Sequence, residues 1–184
     1  MRKTVVIFPD TEFTDFANMD MISIGAVVEH SDDEFYAEVS DHREYLRSGF
    51  VQVHVMCHTD MAKYGKPKKE VAEDFANWVD SLDAEEALFV VDYVGDWQLI
   101  HDLFQIKSPG KKFRVVMYNA YMGDRLVAAI GKDTVTDYLD CWNDLCAIMA
   151  KYFVEVDNRQ HHALVDARAN KHAFVQALKN AKDR

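Results

Sequence analysis

Five polar residues could do chemistry together: Asp10, Glu12, Asp96, His161 and Asp166. Asp10 and Glu12 flank Thr11 directly after an apolar, β-branched run, Thr4-Val5-Val6-Ile7-Phe8. In an extended chain residues i and i+2 face the same way, so the two carboxyl groups stand side by side at a strand end. Carboxylates that close raise each other's pKa, and a divalent cation relieves the conflict. Hard oxygen donors suit Mg²⁺, with Mn²⁺ able to substitute.

The third acid, Asp96, follows Gly95 where a fourth strand-like run (87–93) gives way to a helix. Gly95 is expected to allow a tight turn, which puts Asp96 at or near the helix N-terminus. Aspartate is also a favoured N-cap, so capping is the competing role, and Asp92 at the strand end is the rival candidate. The remaining two residues open the last helix in His161-His162-Ala163-Leu164-Val165-Asp166-Ala167. Positions five apart on a helix diverge by ~140°, so His161 must lie in the preceding loop to face the same cleft as Asp166. His162, four residues before Asp166, could instead pair with it on the surface. An imidazole, with an ordinary pKa near ~6.5, suits proton abstraction at neutral pH.

These residues need a particular frame. Apolar, strand-like runs occupy 4–8, 21–28 and 34–39, with Ser31-Asp32-Asp33 as turn chemistry between the last two. Such short connections allow only antiparallel neighbours, because a parallel crossover needs a dozen or more residues. Helical periodicity follows over 68–82, where Val71, Phe75, Trp78, Val79 and Leu82 form one stripe. A strand over 87–93, a helix over 96–104 and a strand over 113–118 come next. Tyr138, Cys141, Trp142, Leu145, Ile148 and Met149 fall at helical spacing, and the last helix runs over about 163–181. The order β-β-β-α-β-α-β-α-α predicts an α/β chain with a mixed five-stranded sheet flanked by helices. Residues 40–67 are too many for a simple loop and are expected to carry a short helix or strand, or a flap over the site.

Composition sets outer bounds. The 184 residues are expected to form one domain, with no repeat, linker or low-complexity tract. No apolar run approaches the ~18 residues of a membrane span. The basic start Met1-Arg2-Lys3 precedes an apolar run that stops at Pro9-Asp10, so a first core strand is expected there rather than a leader, in a cytoplasmic protein. Three cysteines without a CxxC spacing suggest buried thiols in a reducing compartment. His54, Cys57, His58 and Asp60 lie close together, but no second ligand pair stands at a zinc-like spacing. The formal charge of −10 argues against electrostatic binding of long duplexes. It is compatible with acids that hold cations, because the bound ions are missing from the sum. The basic clusters at Lys66, Lys68 and Lys69 and at Lys107, Lys111, Lys112 and Arg114 read as solvated loop and helix-end charge.

Taken together, Asp10-Thr11-Glu12-Phe13, Gly95-Asp96 and His161-x-Ala163-x-x-Asp166 resemble the three motifs of the DEDDh 3′→5′ exonuclease superfamily, in their usual chain order. Met21-Ile22-Ser23-Ile24-Gly25 and His161-His162-Ala163-Leu164-Val165-Asp166-Ala167-Arg168 are most similar to the RNase AS-like short exoribonucleases. The likeness covers most of the chain; stretches 40–67 and 123–137 match poorly, and the second motif departs from the usual Asn-x-x-Phe-Asp. The resemblance implies a ribonuclease H-like fold and two Mg²⁺ ions, with Asp10, Glu12 and Asp166 on the first ion. Asp10 would bridge to the second ion, Asp96 would also contact an ion, and His161 would be the general base. Thr11 and Phe13 would touch the nucleic acid, Phe13 by stacking on the terminal base, although a core phenylalanine at a strand end is the plain alternative. The implied substrate is the 3′ end of single-stranded RNA, with single-stranded DNA and an inactive interaction module as alternatives. Relatives are commonly homodimers. An interaction module would need none of the five polar positions.

Overall fold

The computed structural model describes residues 3–130 and 135–183; Met1 and Arg2 of the basic start, residues 131–134 of the poorly matching stretch, and Arg184 lie outside the described residues. Strand β1 (Thr4–Phe13) pairs antiparallel with β2 (Met21–Val28), and β2 pairs antiparallel with β3 (Glu34–Val39). The chain then crosses a short helical segment holding α1 (Gly49–His54) and α2 (Met61–Tyr64), and reaches β4 (Gly65–Lys66). Helix α3 (Lys68–Ser81), strand β5 (Glu86–Val91), helix α4 (Val94–Ile106), strand β6 (Lys112–Met117) and helices α5 (Tyr118–Ile130), α6 (Val135–Glu155) and α7 (Ala163–Asp183) complete the order. The result is an α/β structure on a mixed six-stranded sheet, ordered β4-β3-β2-β1-β5-β6, with β5 and β6 parallel to β1.

The five strands expected from sequence are all present, and β4 adds a sixth. It is two residues long, pairs Gly65 with Glu38 and Lys66 with Val39, and is too short to leave a periodic signal. Helix α5 was absent from the expected order. Its buried positions Tyr118, Tyr121, Met122 and Leu126 do recur at helical spacing, with Gly123 interrupting a run that begins immediately after β6. Segment 40–67 carries both short helices and the edge strand, as its length requires.

Alternation along β1 divides the core. Ile7 enters the layer between sheet and α3–α4, with Phe75, Phe89 and Leu103. Phe8 enters the opposite layer, with Tyr118, Tyr121 and Phe174 from the other helices. Fully burying a side chain such as Phe8 contributes about 2–3 kcal/mol, so the direction of these two residues fixes which way every later β1 side chain points. Asp10 and Glu12 continue the Phe8 face, toward α7; Thr11 continues the Ile7 face, toward α4.

Helix α7 lies close to the sheet because its inner face is small: Ala163, Ala167, Ala173 and Ala177 are completely buried. Closest approach is over Gly25, where a Cβ would sit 2.3 Å from the Leu164 backbone nitrogen and 2.4 Å from the Ala163 carbonyl carbon. Gly25 pairs directly with Asp10. One missing side chain therefore brings the start of α7 down beside the acidic end of β1.

The thiol expectation needs correction: only Cys141 is buried, Cys57 and Cys146 are exposed, and none of the three is in a disulfide. Cys146 is five residues beyond Cys141 on α6, which turns it away from the core. Many of the basic residues are held locally. Lys111 Nζ donates to the carbonyls of Val79, Asp80 and Leu82 at the end of α3, Lys66 pairs with Asp74, and Arg114 pairs with Glu86. No helix among the described residues is long and apolar enough to cross a membrane.

Candidate metal centre and cleft

The parallel ladder between β1 and β5 ends at Ile7, opposite Phe89. Pro9, which has no N–H to donate, follows two residues later, and the ladder is not resumed. The gap opens at the C-terminal ends of these strands, where α/β sheets place ligands. Strand β1 continues on its β2 side through Glu12, then shifts register at Phe13 in a bulge, a device that re-aims side chains beside functional sites.

Two groups of donors gather in this gap. Side-chain oxygens of Asp10, Asp92 and Asp96 lie within 4.8 Å of one another, and so do those of Glu12 and Asp166 with a ring nitrogen of His161. All five expected residues thus converge, although they come from β1, α4, the turn before α7 and α7 itself. Asp92 joins Asp10 and Asp96 and is no longer simply a rival of Asp96. Each group could hold a metal ion. The grouping differs from the set implied by resemblance, which joined Asp10 with Glu12 and Asp166.

Local structure explains each position. Asp96 sits inside the first turn of α4, 3% exposed, and is not the N-cap; that place belongs to Tyr93, which makes no side-chain cap bond. Its Oδ1 accepts from the Thr11 backbone N–H at 3.2 Å and from the Thr11 hydroxyl at 2.6 Å. Thr11 is therefore buried and engaged in orienting Asp96. Gly95 does not make the expected turn. It lies within α4 without a left-handed φ, and a Cβ there would fall 2.1 Å from the Tyr93 ring, so its role is to give that ring room. Asp92 is exposed and accepts from Asn170 Nδ2 of α7 at 3.2 Å.

His161 lies off the helix, as the spacing requires, with φ of 69°, the one left-handed non-glycine among the described residues. Its backbone N–H donates to Asp166 Oδ2 at 3.0 Å, which ties the turn to the helix. Asp166 Oδ1 is buried and has no hydrogen-bond partner among the described residues. An unpartnered buried carboxylate oxygen within a donor group is what a cation site requires before loading. The surface pair of His162 with Asp166 does not form. His162 is turned inward and stacks on Tyr36, ring centres 4.5 Å apart, and burial pushes its pKa down to about 4.

The electrostatics agree with this geometry. Burial, then the charges of Asp96, Glu12, Asp166 and Asp92, hold Asp10 well above the ordinary carboxyl range. Burial, with Asp166 and Asp96 adding to it, raises Glu12 to about 9. Burial raises Asp96 to about 7 against the opposing Thr11 hydrogen bonds, with Asp92 reinforcing the rise. Asp166 is also raised to about 7 by burial, against the His161 N–H. Without cations these acids compete for protons near neutral pH, and a divalent ion would replace those protons. His161 is shifted the other way, lowered by burial and by nearby His54 and His58, so its ring stays neutral and can accept a proton.

The acidic floor lies in a cleft of about 650 Å³. One wall is aromatic: Phe13 stacks on Tyr93 at 6.1 Å, and Phe16 meets both edge-on, at 5.2 Å and 6.0 Å. Phe13 also packs on the core, so both readings of it hold in part. The facing wall is α1, where the Phe50 ring lies 5.0 Å from His161 and 4.6 Å from His54. Ser48 caps α1 by accepting from Val51 N, and its own N–H donates to the Thr14 carbonyl, which fixes α1 against the loop after β1. Phe16 is 76% exposed and Phe50 53%, although both line the same cleft as the acids. Sequence reading missed Phe16, Phe50 and Tyr93. The signal available was weak: an aromatic three residues after Phe13, and another two before Gly95.

A larger hollow of about 990 Å³ lies at the opposite ends of β1, β5 and β6, around Lys3, Asp83 and Lys112. Neither donor group reaches it. Among the described residues the two groups above take no member from His54, Cys57, His58 or Asp60. No family model matches the chain, and no curated protein matches its sequence.

Proposed function

We propose that this chain is a 3′→5′ exonuclease domain of the DEDDh type on a ribonuclease H-like sheet, removing nucleoside 5′-monophosphates from the 3′ ends of single-stranded RNA. The observation that carries the reading is the convergence of Asp10, Asp92 and Asp96, and of Glu12, Asp166 and His161, on one floor beside exposed aromatic rings. The β3-β2-β1-β5-β6 arrangement, with an antiparallel meander joined to parallel strands, supports the fold assignment.

The donor set fits Mg²⁺. It is dominated by carboxylates, it leaves Asp166 Oδ1 without a partner, and its acids divide into Asp10, Asp92 and Asp96 on one side and Glu12 and Asp166 on the other, which leaves the His161 lone pair beside the second group for a proton. Bound there, two such ions supply charge stabilisation to the attacking and leaving oxygens of an in-line displacement. The remaining work falls to the chain. Phe13, Phe16 and Tyr93 offer ring faces to unpaired terminal bases and so favour single strands. His161 accepts the proton of the attacking water as the new P–O bond forms. The P–O3′ bond breaks, and the shortened strand leaves with a 3′-hydroxyl after taking a proton from solvent.

The test is degradation of 5′-labelled RNA and matched DNA oligonucleotides with Mg²⁺ and then with EDTA. The expected result is a ladder shortening from the 3′ end on RNA, abolished by EDTA and by Asp10→Ala in a folded protein. Activity that survived EDTA would overturn the metal reading, a DNA-only ladder would transfer the activity to single-stranded DNA, and no cleavage by the wild-type chain would leave an interaction module.

A further inference from the structure

A second polar assembly lies behind His161. Tyr36 and Glu38 stand on β3, in register with Gly25 and Ser23 of β2, which in turn pair with Asp10 and Glu12 of β1. Two cross-sheet rows therefore run from the acidic floor to β3, Asp10–Gly25–Tyr36 and Glu12–Ser23–Glu38. Glu38 is completely buried, and among the described residues no cationic side chain is paired with it. Its Oε1 accepts from the Tyr36 hydroxyl at 2.7 Å and from the Asp60 N–H at 2.8 Å, while Oε2 has no partner. Holding a carboxyl group in that state is costly, and simple packing would be better served by an apolar residue.

The hydroxyl bond fixes the Tyr36 ring. On that ring lies His162, its plane inclined by 18° and its own Nδ1 buried without a partner. His162 immediately follows the left-handed His161, and its carbonyl accepts the first bonds of α7, from Val165 N at 2.8 Å and Asp166 N at 3.0 Å. Left-handed φ is unfavourable for a histidine and persists only where neighbours hold it.

We propose that Tyr36, anchored by Glu38, is a positioning residue for the His161 turn: the fixed ring holds His162, and His162 sets the backbone that aims His161 at Glu12 and Asp166. The inference rests on the exonuclease reading only for its kinetic consequence. The geometric consequence can be read in metal-free protein, as hydrogen exchange of the His161 amide that donates to Asp166.

Tyr36→Leu removes the ring. His161 amide exchange is expected to accelerate at least about tenfold while amides in the middle of α7 keep their protection, which separates a loosened turn from global unfolding. On an RNA oligonucleotide, kcat should fall about 10–100-fold with KM within about threefold, because the aromatic wall is untouched and only the aim of His161 changes. His162→Phe keeps the stacked rings and should stay within about threefold of wild type in all three quantities, whereas Tyr36→Phe keeps the ring but loses its bond to Glu38 and should fall between wild type and Tyr36→Leu. If Tyr36→Leu does not fold, His162→Ala interrupts the same link and should give the same exchange pattern. Wild-type exchange and kcat in a folded Tyr36→Leu would overturn the proposal, and so would an inactive His162→Phe, which would assign chemistry to the His162 nitrogens. If the wild-type chain cleaved nothing while Tyr36→Leu still showed this exchange pattern, the exonuclease reading would fall and the positioning would stand.

Discussion

Replacing Glu12 by Gln should stabilise the metal-free protein at alkaline pH and leave it nearly unchanged at acid pH. Glu12 is 9% exposed and its pKa is raised from 4.5 to about 9, chiefly by burial and then by Asp166 and Asp96. With the folded value raised, the folded state keeps a proton that the unfolded chain gives up. The contribution of Glu12 to stability is thus fully present below pH 4.5 and is lost as pH rises toward 9. The loss runs at about 1.4 kcal/mol per pH unit, or about 4 kcal/mol between pH 5 and pH 8 for a sealed, isolated group. The cleft admits water and Asp166 shares the proton, so about half of that, ~2 kcal/mol, is expected. In a chain of this size ~2 kcal/mol corresponds to roughly 4–8 °C in Tm. Thermal melts of wild type and Glu12→Gln in EDTA at pH 5 and pH 8 measure it directly. The gap between the two proteins should open by that amount toward pH 8, and Mg²⁺ should raise Tm less for the variant, which keeps the Asp10–Asp92–Asp96 group, than for wild type. Parallel pH profiles would refute the claim that Glu12 is a crowded, buried acid.

Gly25→Ala places a methyl group against the α7 backbone, which cannot yield as a side-chain end would. The start of α7 should lift, weakening Mn²⁺ binding by about tenfold or more in calorimetry while most of the fold survives. Phe16→Ala, at a residue 76% exposed, should change stability by no more than about 0.5 kcal/mol and raise KM for single-stranded oligonucleotides about 5–20-fold. His161→Ala should lower kcat by about 10²–10⁴ while Mn²⁺ affinity falls far less, since carboxylates supply most donors.

Legibility in the sequence followed the length of each physical signal. The three-strand meander, α3, β5 and α7 were readable because apolar periodicity persists over whole elements. The pair Asp10 and Glu12 was readable because strand alternation has a period of two, and His161 because its spacing from Asp166 excludes a shared helix face. Less was visible where position depends on tertiary packing. Nothing local distinguishes Asp92 as a member of the Asp10–Asp96 group, since its place follows from where β1 and β5 part. Gly95 looked like a turn residue, yet what needs its missing side chain is the ring of Tyr93. His162 has the spacing of a surface partner for Asp166, and only the fold shows that Tyr36 offers it an aromatic face instead.

Diffraction from Mn²⁺-soaked crystals at the manganese absorption edge tests directly whether the two donor groups are cation sites. Anomalous peaks are expected among Asp10, Asp92 and Asp96 and among Glu12, His161 and Asp166, and both should vanish in Asp10→Ala/Asp166→Ala protein. A map with no peak at either group, or with manganese bound only at His54 and His58, would contradict that assignment.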